Sequence, residues 1–389
     1  MAMFPVFLIS LALHALVGWR IAPELSSIDS GLGIALWTIL TLLSLLMPMG
    51  LLARRLTKPP LSEVLTWMGL LCMGLFSSLL VMTILREVLL AVALGVDWLW
   101  PGALALAGLR TATAEALPVV ALLITTLGFW NARRTATVVS VDVPIANLPE
   151  TLQGFTVAQI SDIHVGPTIK TQYLQRIVDK VNRLNANLVA ITGDLVDGSV
   201  TDLGHHIAPL SQLISTHGTF FVTGNHEYYS GAHSWIDALR ALGVQVLMNE
   251  HVLVHHSIDD QDPETALMVI AGVTDFSSHH FDETHRSDPH KAMANAPDHA
   301  VFKLLLAHQP RSAAAAADAG FDLQLSGHTH GGQFWPWNHF VRLQQPFTAG
   351  LHKLQELWVY TSRGTGYWGP PKRFGAPSEI THLRLVRAL

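Results

Sequence analysis

Seven residues of metal-ligand type punctuate this chain of 389 residues, each just beyond an apolar run. Asp162 and His164 follow residues 155–160, Asp194 follows 188–192, Asn225 follows 219–223, His308 closes 301–307, and His328 and His330 follow 321–325. Together they offer two carboxylates, one amide oxygen and four imidazoles. A catalytic ion takes about three or four protein ligands, so this set suits two ions with one carboxylate shared between them. Mixed oxygen and imidazole donors favour Mn, Fe, Zn or Co over Ca or Mg.

The elements that must gather these residues are strands. Each apolar run reads as a buried strand, with helix-like stretches between the early ones. In α/β sheets, ligands collect at the carboxyl ends of strands. Alternation at a strand end would turn His328 and His330 the same way, and the flanking glycines would let the backbone pass close by. Of 21 histidines, 20 lie after residue 135. His205, His206, His255, His256, His279, His280, His285 and His290 sit in polar stretches and are expected in solvent. Between the third and fourth clusters, 234–242 reads as an amphipathic helix and 244–247, 252–255 and 267–271 as strands. The His-rich stretch 276–290 is expected to be a mobile loop near the site, and the alanines of 313–317 favour helix.

Asp-x-His at 162–164, Gly-Asp-x-x-Asp at 193–197, Gly-Asn-His-Glu at 224–227, the lone His308 and Gly-His-x-His at 327–330 resemble, in that order, the motifs of the calcineurin-like metallophosphoesterase family. The resemblance covers about residues 137 to 389. The tail Ser362-Arg363-Gly364-Thr365-Gly366, followed by Arg373-Phe374-Gly375-Ala376-Pro377, is similar to the bacterial membrane-anchored branch. The resemblance implies an α/β fold, a two-sheet β-sandwich flanked by helices. It implies that Asp162, His164 and His330 hold a first metal, that Asn225, His308 and His328 hold a second, and that Asp194 bridges them. It also implies a catalytic His226, donating a proton or stabilising transition-state charge. Arg363 is a candidate substrate contact, since a guanidinium can bind two phosphate oxygens, with a structural ion pair as the alternative. Asp197 is expected to cap a loop and Glu227 to bond His226. Two divalent ions lower the pKa of bound water, so the expected mechanism is direct in-line attack by a metal-bridging hydroxide. The single cysteine, Cys72, lies far from these motifs and takes no part.

Composition shifts near residue 135. The runs 1–19, 30–53, 64–85 and 116–132 are uncharged, and a spanning helix needs about 20 residues. The first run lacks a basic start and a clear cleavage site, so it is expected to be a retained helix. The stretch 87–110 carries Asp97; because an ionised Asp at mid-membrane is costly, it is expected to be interfacial or re-entrant. The expected division is therefore 1–135, a transmembrane anchor of about four spans, and 136–389, a phosphoesterase domain. Arg54, Arg55 and Lys58, and then Arg133 and Arg134, fall on the side of the N-terminus. Basic loops face the cytoplasm, so the expectation is a multi-pass inner-membrane protein with a cytoplasmic catalytic domain. Residues 136–389 hold 16 basic and 23 acidic side chains and no dense basic run, Lys372-Arg373 being the nearest to one. Nucleic acid is not an expected partner.

The expected function is a membrane-anchored binuclear-metal phosphoesterase acting on phosphodiester or pyrophosphate bonds. Trp335, Trp337, Tyr367 and Trp368 could form an apolar lip for a lipid-linked substrate, since Trp favours membrane interfaces. The alternative is a catalytically silent phosphoesterase fold serving as a sensing or binding module, although no ligand position is missing. A transporter is disfavoured because the apolar runs contain no charge pair.

Overall fold

The computed structural model describes residues 3–257 and 265–388. The chain divides into two compact units, Met1–Trp130 with Gly369–Lys372, and Asn131–Trp368 with Arg373–Leu389.

The first unit is built on α1 (Met3–Ile28), α2 (Ser30–Leu56), α3 (Leu61–Leu99) and α4 (Leu106–Arg133). All four are long and apolar enough to cross a membrane. The stretch 87–110 is not a separate element. Helix α3 runs through Asp97 to Leu99 and α4 starts at Leu106, leaving four such helices among the described residues. The 39 residues of α3 extend about 58 Å, against about 30 Å of hydrocarbon. A helix of that length reaches past the apolar layer, so Asp97 need not lie at mid-membrane. The sequence reading also missed a charge cluster, because its members flank the uncharged runs and come from three helices. Arg86 is buried. Its Nε donates to Thr113 Oγ1 at 3.1 Å, Nη1 to Glu87 Oε1 at 2.9 Å and Nη2 to the Arg110 carbonyl at 3.1 Å. Arg20 pairs with the same Glu87. The side chains of Arg54 and Arg55 lie outside the described residues.

The second unit holds two six-stranded sheets. Its strands are β1 (Thr137–Ile145), β2 (Thr156–Ile160), β3 (Leu188–Ile191), β4 (Thr219–Phe221), β5 (Gln245–Val246), β6 (Glu250–His256), β7 (Ala266–Gly272), β8 (Phe302–Leu306), β9 (Leu323–Ser326), β10 (Gly350–Leu354), β11 (Leu357–Thr361) and β12 (Glu379–Arg387). One sheet has the order β1-β12-β2-β3-β4-β5 and the other β10-β11-β9-β8-β7-β6. Helices α5 (Thr171–Asn182), α6 (Val200–Leu203), α7 (Asn225–Ser230), α8 (Ala232–Ala241), α9 (Pro289–Met293), α10 (Ala313–Asp318) and α11 (Asn338–Val341) connect them.

Period-two alternation makes this a sandwich. Val157, Leu188, Ala190 and Phe220 pack inward against Met268, Ile270, Leu304 and Leu325. Their neighbours Ala158, Val189, Ile191 and Phe221 face outward onto α5 and α8, through Leu174, Ile177, Trp235 and Leu239. Val269, Ala271 and Leu305 pack on Ala313 and Ala316 of α10. The fold is the α/β two-sheet arrangement with flanking helices that the motifs implied, following four apolar helices. The central parallel strands β2, β3, β4, β8 and β9 all end toward the seven candidate ligands.

Candidate metal centre

The candidate ligands converge, but not by strand alternation. Strand β9 ends at Ser326, and what turns the following side chains inward is left-handed backbone. Asp162 (φ 53°), His164 (φ 56°), Asp194 (φ 51°), His328 (φ 69°) and His330 (φ 51°) all have positive φ. Non-glycine residues rarely adopt this conformation, and such strain gathers where surrounding structure holds a functional geometry in place. His328 and His330 consequently point to two adjacent groups rather than to one.

Two triads of ligand atoms, Asp162 with His164 and His330, and Asp194 with His308 and His328, are overlapped by a third, His164 and Asp194 with His226; within each, the atoms lie inside 4.8 Å of one another. In the first, His164 Nε2 is 3.0 Å from His330 Nε2, and His330 Nε2 is 3.4 Å from Asp162 Oδ1. In the second, His308 Nε2 is 3.2 Å from both His328 Nδ1 and Asp194 Oδ2. Asp194 Oδ2 also lies 3.9 Å from His164 Nε2, which links the triads. Asn225 opens α7, and its buried Oδ1 has no hydrogen-bond partner.

The surroundings fix each ring. His308 Nδ1 donates to the Thr192 carbonyl at 2.7 Å, so Nε2 turns its lone pair to the centre. His164 Nδ1 is held by Asp197 Oδ1 at 3.1 Å, with the same consequence for its Nε2. Asp162 accepts the His328 N–H at 2.9 Å, and Asp194 the His226 N–H at 2.9 Å. Gly327 and Gly224 make these approaches possible: a Cβ on the first would strike Ser161 and Asp162, and on the second Asp194.

Burial drives the Asp162 carboxyl above its ordinary pKa. Burial pushes Asp194 the same way, but the charge and hydrogen bond of His308 outweigh it and hold that carboxyl well below the usual range. Burial also lowers His328, to about 3, with help from His308. Burial and the Arg373 guanidinium hold His330 well below an ordinary imidazole. Imidazole nitrogens facing one another at 3.0 and 3.2 Å, two buried carboxylates and an orphaned amide oxygen are what a cation would reconcile. The donor set therefore fits two divalent metals.

His226 lies beside this centre. Burial opposes its protonation, but the bond to Asp197 and the charge of Asp194 overcome this and raise it to about 9. The Trp368 ring stands 5.8 Å and the Tyr229 ring 5.2 Å from it, both edge-on. Arg363 is partly exposed and pairs with Glu379, Nη1 to Oε2 at 3.3 Å.

Two expectations are corrected. Asp197 is no loop cap, because one oxygen serves both His164 and His226. Glu227 does not bond His226. Its fully buried carboxylate instead accepts the backbone N–H groups of Gly224 (2.6 Å), Leu195 (2.8 Å), Asp194 (3.0 Å) and Val196 (3.3 Å), and burial lifts its pKa to about 7. Arg373, marked in the sequence by the tail motif and by the Lys372-Arg373 pair, is buried, and its Nη1 holds the carbonyls of His330 (2.9 Å) and Arg363 (2.7 Å) from beneath the site. The sequence did not show that Arg373 supports His330, while the role of Asp197 could have been found from its place in Gly-Asp-x-x-Asp. Several histidines assigned to solvent are partnered: His206 with Thr171, His256 with His217, and His285 with Tyr228.

A two-sheet α/β sandwich with mixed carboxylate and imidazole donors at its strand ends defines the class, a metallophosphoesterase domain. The profile of the calcineurin-like phosphoesterase family matches residues 155–332, and an uncharacterized metallophosphoesterase of Aquifex aeolicus is 32% identical over 222 residues, 57% of this chain and 80% of that protein. The chain belongs to this family. A transmembrane protein with metallophosphoesterase domain from Bos taurus is 40% identical over 286 residues, 70% of this chain and 63% of that one. An uncharacterized metallophosphoesterase of Campylobacter jejuni is 38% identical over 265 residues, 66% of this chain and 64% of that one. The chain thus matches a little under two thirds of the length of these last two relatives.

Proposed function

We propose that this protein is a membrane-anchored, two-metal phosphoesterase that cleaves phosphodiester or pyrophosphate bonds of a lipid-linked substrate. The observation that carries the reading is the pair of ligand triads joined at Asp194. In this reading Asp162, His164 and His330 hold one divalent ion, Asn225, His308 and His328 hold the other, and Asp194 is shared. Two such ions supply Lewis-acid stabilisation of phosphate charge and an activated water at neutral pH.

The protein groups have the remaining work. Asp197 holds His164 in the tautomer that ligates, and aims His226. His226 gives a proton to the departing oxygen. Glu379 fixes one end of the Arg363 guanidinium, whose exposed part meets a phosphate oxygen. Tyr367 is buried and takes no part in the expected lip, but Trp335, Trp337 and Trp368, with Phe340, support the lipid reading, because they are between 40% and 55% exposed, and large exposed apolar side chains in one region are uncommon without a partner. The helices of residues 1–135 anchor the enzyme in the inner membrane. The basic groups after the second and fourth helices support a cytoplasmic catalytic unit, residues 136–389.

The test is hydrolysis of bis(p-nitrophenyl) phosphate by metal-stripped protein given Mn, Zn, Fe or Mg, beside Asp194→Asn. Turnover that vanishes in the variant supports the reading. No turnover with any metal, in folded protein that binds metal, would shift the account to a silent sensing module. A Trp335→Ala/Trp337→Ala variant tests the lipid part. Loss of long-chain ester hydrolysis with the soluble ester unchanged is expected, and equal effects would sink it.

A further inference from the structure

A second group of metal-ligand side chains lies outside the centre just described. His233 Nε2 is 3.1 Å from Asp282 Oδ2, His285 Nε2 is 3.9 Å from the same oxygen, and the three ligand atoms lie within 4.8 Å of one another. Around a tetrahedral ion with bonds of about 2.0–2.1 Å, ligand atoms stand about 3.3 Å apart. The observed spacing therefore needs only small side-chain rotations to close. Two imidazoles and one carboxylate are the donors of an open zinc-type site, with a position left for water.

Two of the three ligands are already held from behind. Asp282 Oδ1 accepts from Thr284 N at 2.9 Å and Thr284 Oγ1 at 2.6 Å, which leaves Oδ2 to face the histidines. His285 Nδ1 is 2.9 Å from the hydroxyl of buried Tyr228. In the tautomer that donates this proton to the tyrosine oxygen, Nε2 presents its lone pair to the site. Outer partners that fix ring orientation in this way are typical of built metal sites. His233 is the exposed ligand, at 72% of its side chain, and borders a cleft of about 270 Å³ with Asp237, Met248 and His285. This fit of ligand type, spacing and backing was invisible in the sequence, where His285 sits in a polar stretch.

We propose that His233, Asp282 and His285 form a further divalent-cation site for a zinc-like ion, independent of the Asp162–Asp194 centre. An ion there ties the segment between β7 and α9 to the start of α8. That segment carries Phe281, whose ring packs 5.7 Å from Tyr228 and 5.5 Å from Tyr229. Tyr229 in turn meets His226. Occupancy would order an aromatic wall beside the candidate proton donor.

The experiment is equilibrium dialysis of the full-length protein in detergent against Zn²⁺, with bound zinc counted by mass spectrometry. Wild type is compared with His233→Ala and Asp282→Asn. The expected result is one zinc ion fewer per chain in each variant, with amide exchange across residues 276–288 slowed by zinc in the wild type only. Repeating all three in an Asp194→Asn background should preserve the difference of one ion. Equal zinc content in the three proteins would overturn the proposal, as would a difference that disappears in the Asp194→Asn background. Because His233 is largely exposed, its loss leaves the fold intact and keeps the comparison interpretable.

Discussion

Asp197 Oδ1 lies 2.5 Å from His226 Nδ1, and the same oxygen takes His164 Nδ1 at 3.1 Å. One carboxylate thus couples a candidate metal ligand to the candidate proton donor. Asp197→Asn keeps the shape but weakens both bonds. Loss of such an outer partner costs about 10–100-fold in metal affinity or activity. Steady-state kinetics should show a fall in kcat of that size, with more Mn²⁺ needed for half-activation. Unchanged kinetics would remove Asp197 from the account.

His226→Ala should depend on the leaving group. General acid catalysis contributes about 10²–10⁴-fold, and an alkoxide needs the proton far more than p-nitrophenolate does. Alkyl esters should lose most of their rate while the p-nitrophenyl ester loses little. Equal losses would assign His226 to ligand positioning.

Glu227 gathers four backbone N–H groups around the Asp194 turn. In Glu227→Gln the amide turns two donors toward donors, and a buried unsatisfied group costs about 1–3 kcal/mol. Thermal unfolding should show a clear drop in Tm, together with weaker metal binding because the turn carries Asp194. A Tm equal to wild type would contradict this role.

The reach of the sequence follows from locality. Each ligand cluster sits directly after its own apolar strand, so the five motifs, the central strands β2, β3, β4, β8 and β9, and helix α8 were all legible. Strands β1, β10 and β12 were not, since they lie toward the sheet edges and mix polar with apolar residues, and β11, though apolar, carries no ligand cluster at its end. The left-handed backbone at Asp162, His164, Asp194, His328 and His330 carries no sequence mark, because none of the five is glycine. Arg373 acts on His330 across 43 residues, and His233 meets Asp282 across 49, distances over which one sequence gives no pairing signal.

A pH effect on stability follows from His217 and His256, whose ring nitrogens are 3.0 Å apart beside Phe155. Burial lowers both pKa values below 6.5, and His256 lowers His217 further. The unfolded chain therefore binds more protons just below pH 6.5, so the contribution is complete above that pH and is lost as pH falls through it. Denaturation midpoints between pH 8 and 5 should fall less in His217→Gln than in wild type. Parallel curves would exclude the pair.

Arg86 joins Glu87, Thr113 and the Arg110 carbonyl inside the helical unit. Arg86→Met leaves Glu87 paired with Arg20 but takes a donor from the Thr113 hydroxyl and the Arg110 carbonyl, and a buried unsatisfied group costs about 1–3 kcal/mol. Arg86→Met should unfold at a markedly lower temperature in detergent, and a Tm within a degree of wild type would refute a structural role for the cluster.

The central claim is a two-metal centre shared at Asp194. Its most direct test is the low-temperature electron paramagnetic resonance spectrum of metal-stripped protein titrated with Mn²⁺ to two equivalents. The account predicts the spectrum of an exchange-coupled pair in the wild type and its loss in Asp194→Asn. Only isolated six-line Mn²⁺ signals in the wild type would contradict it.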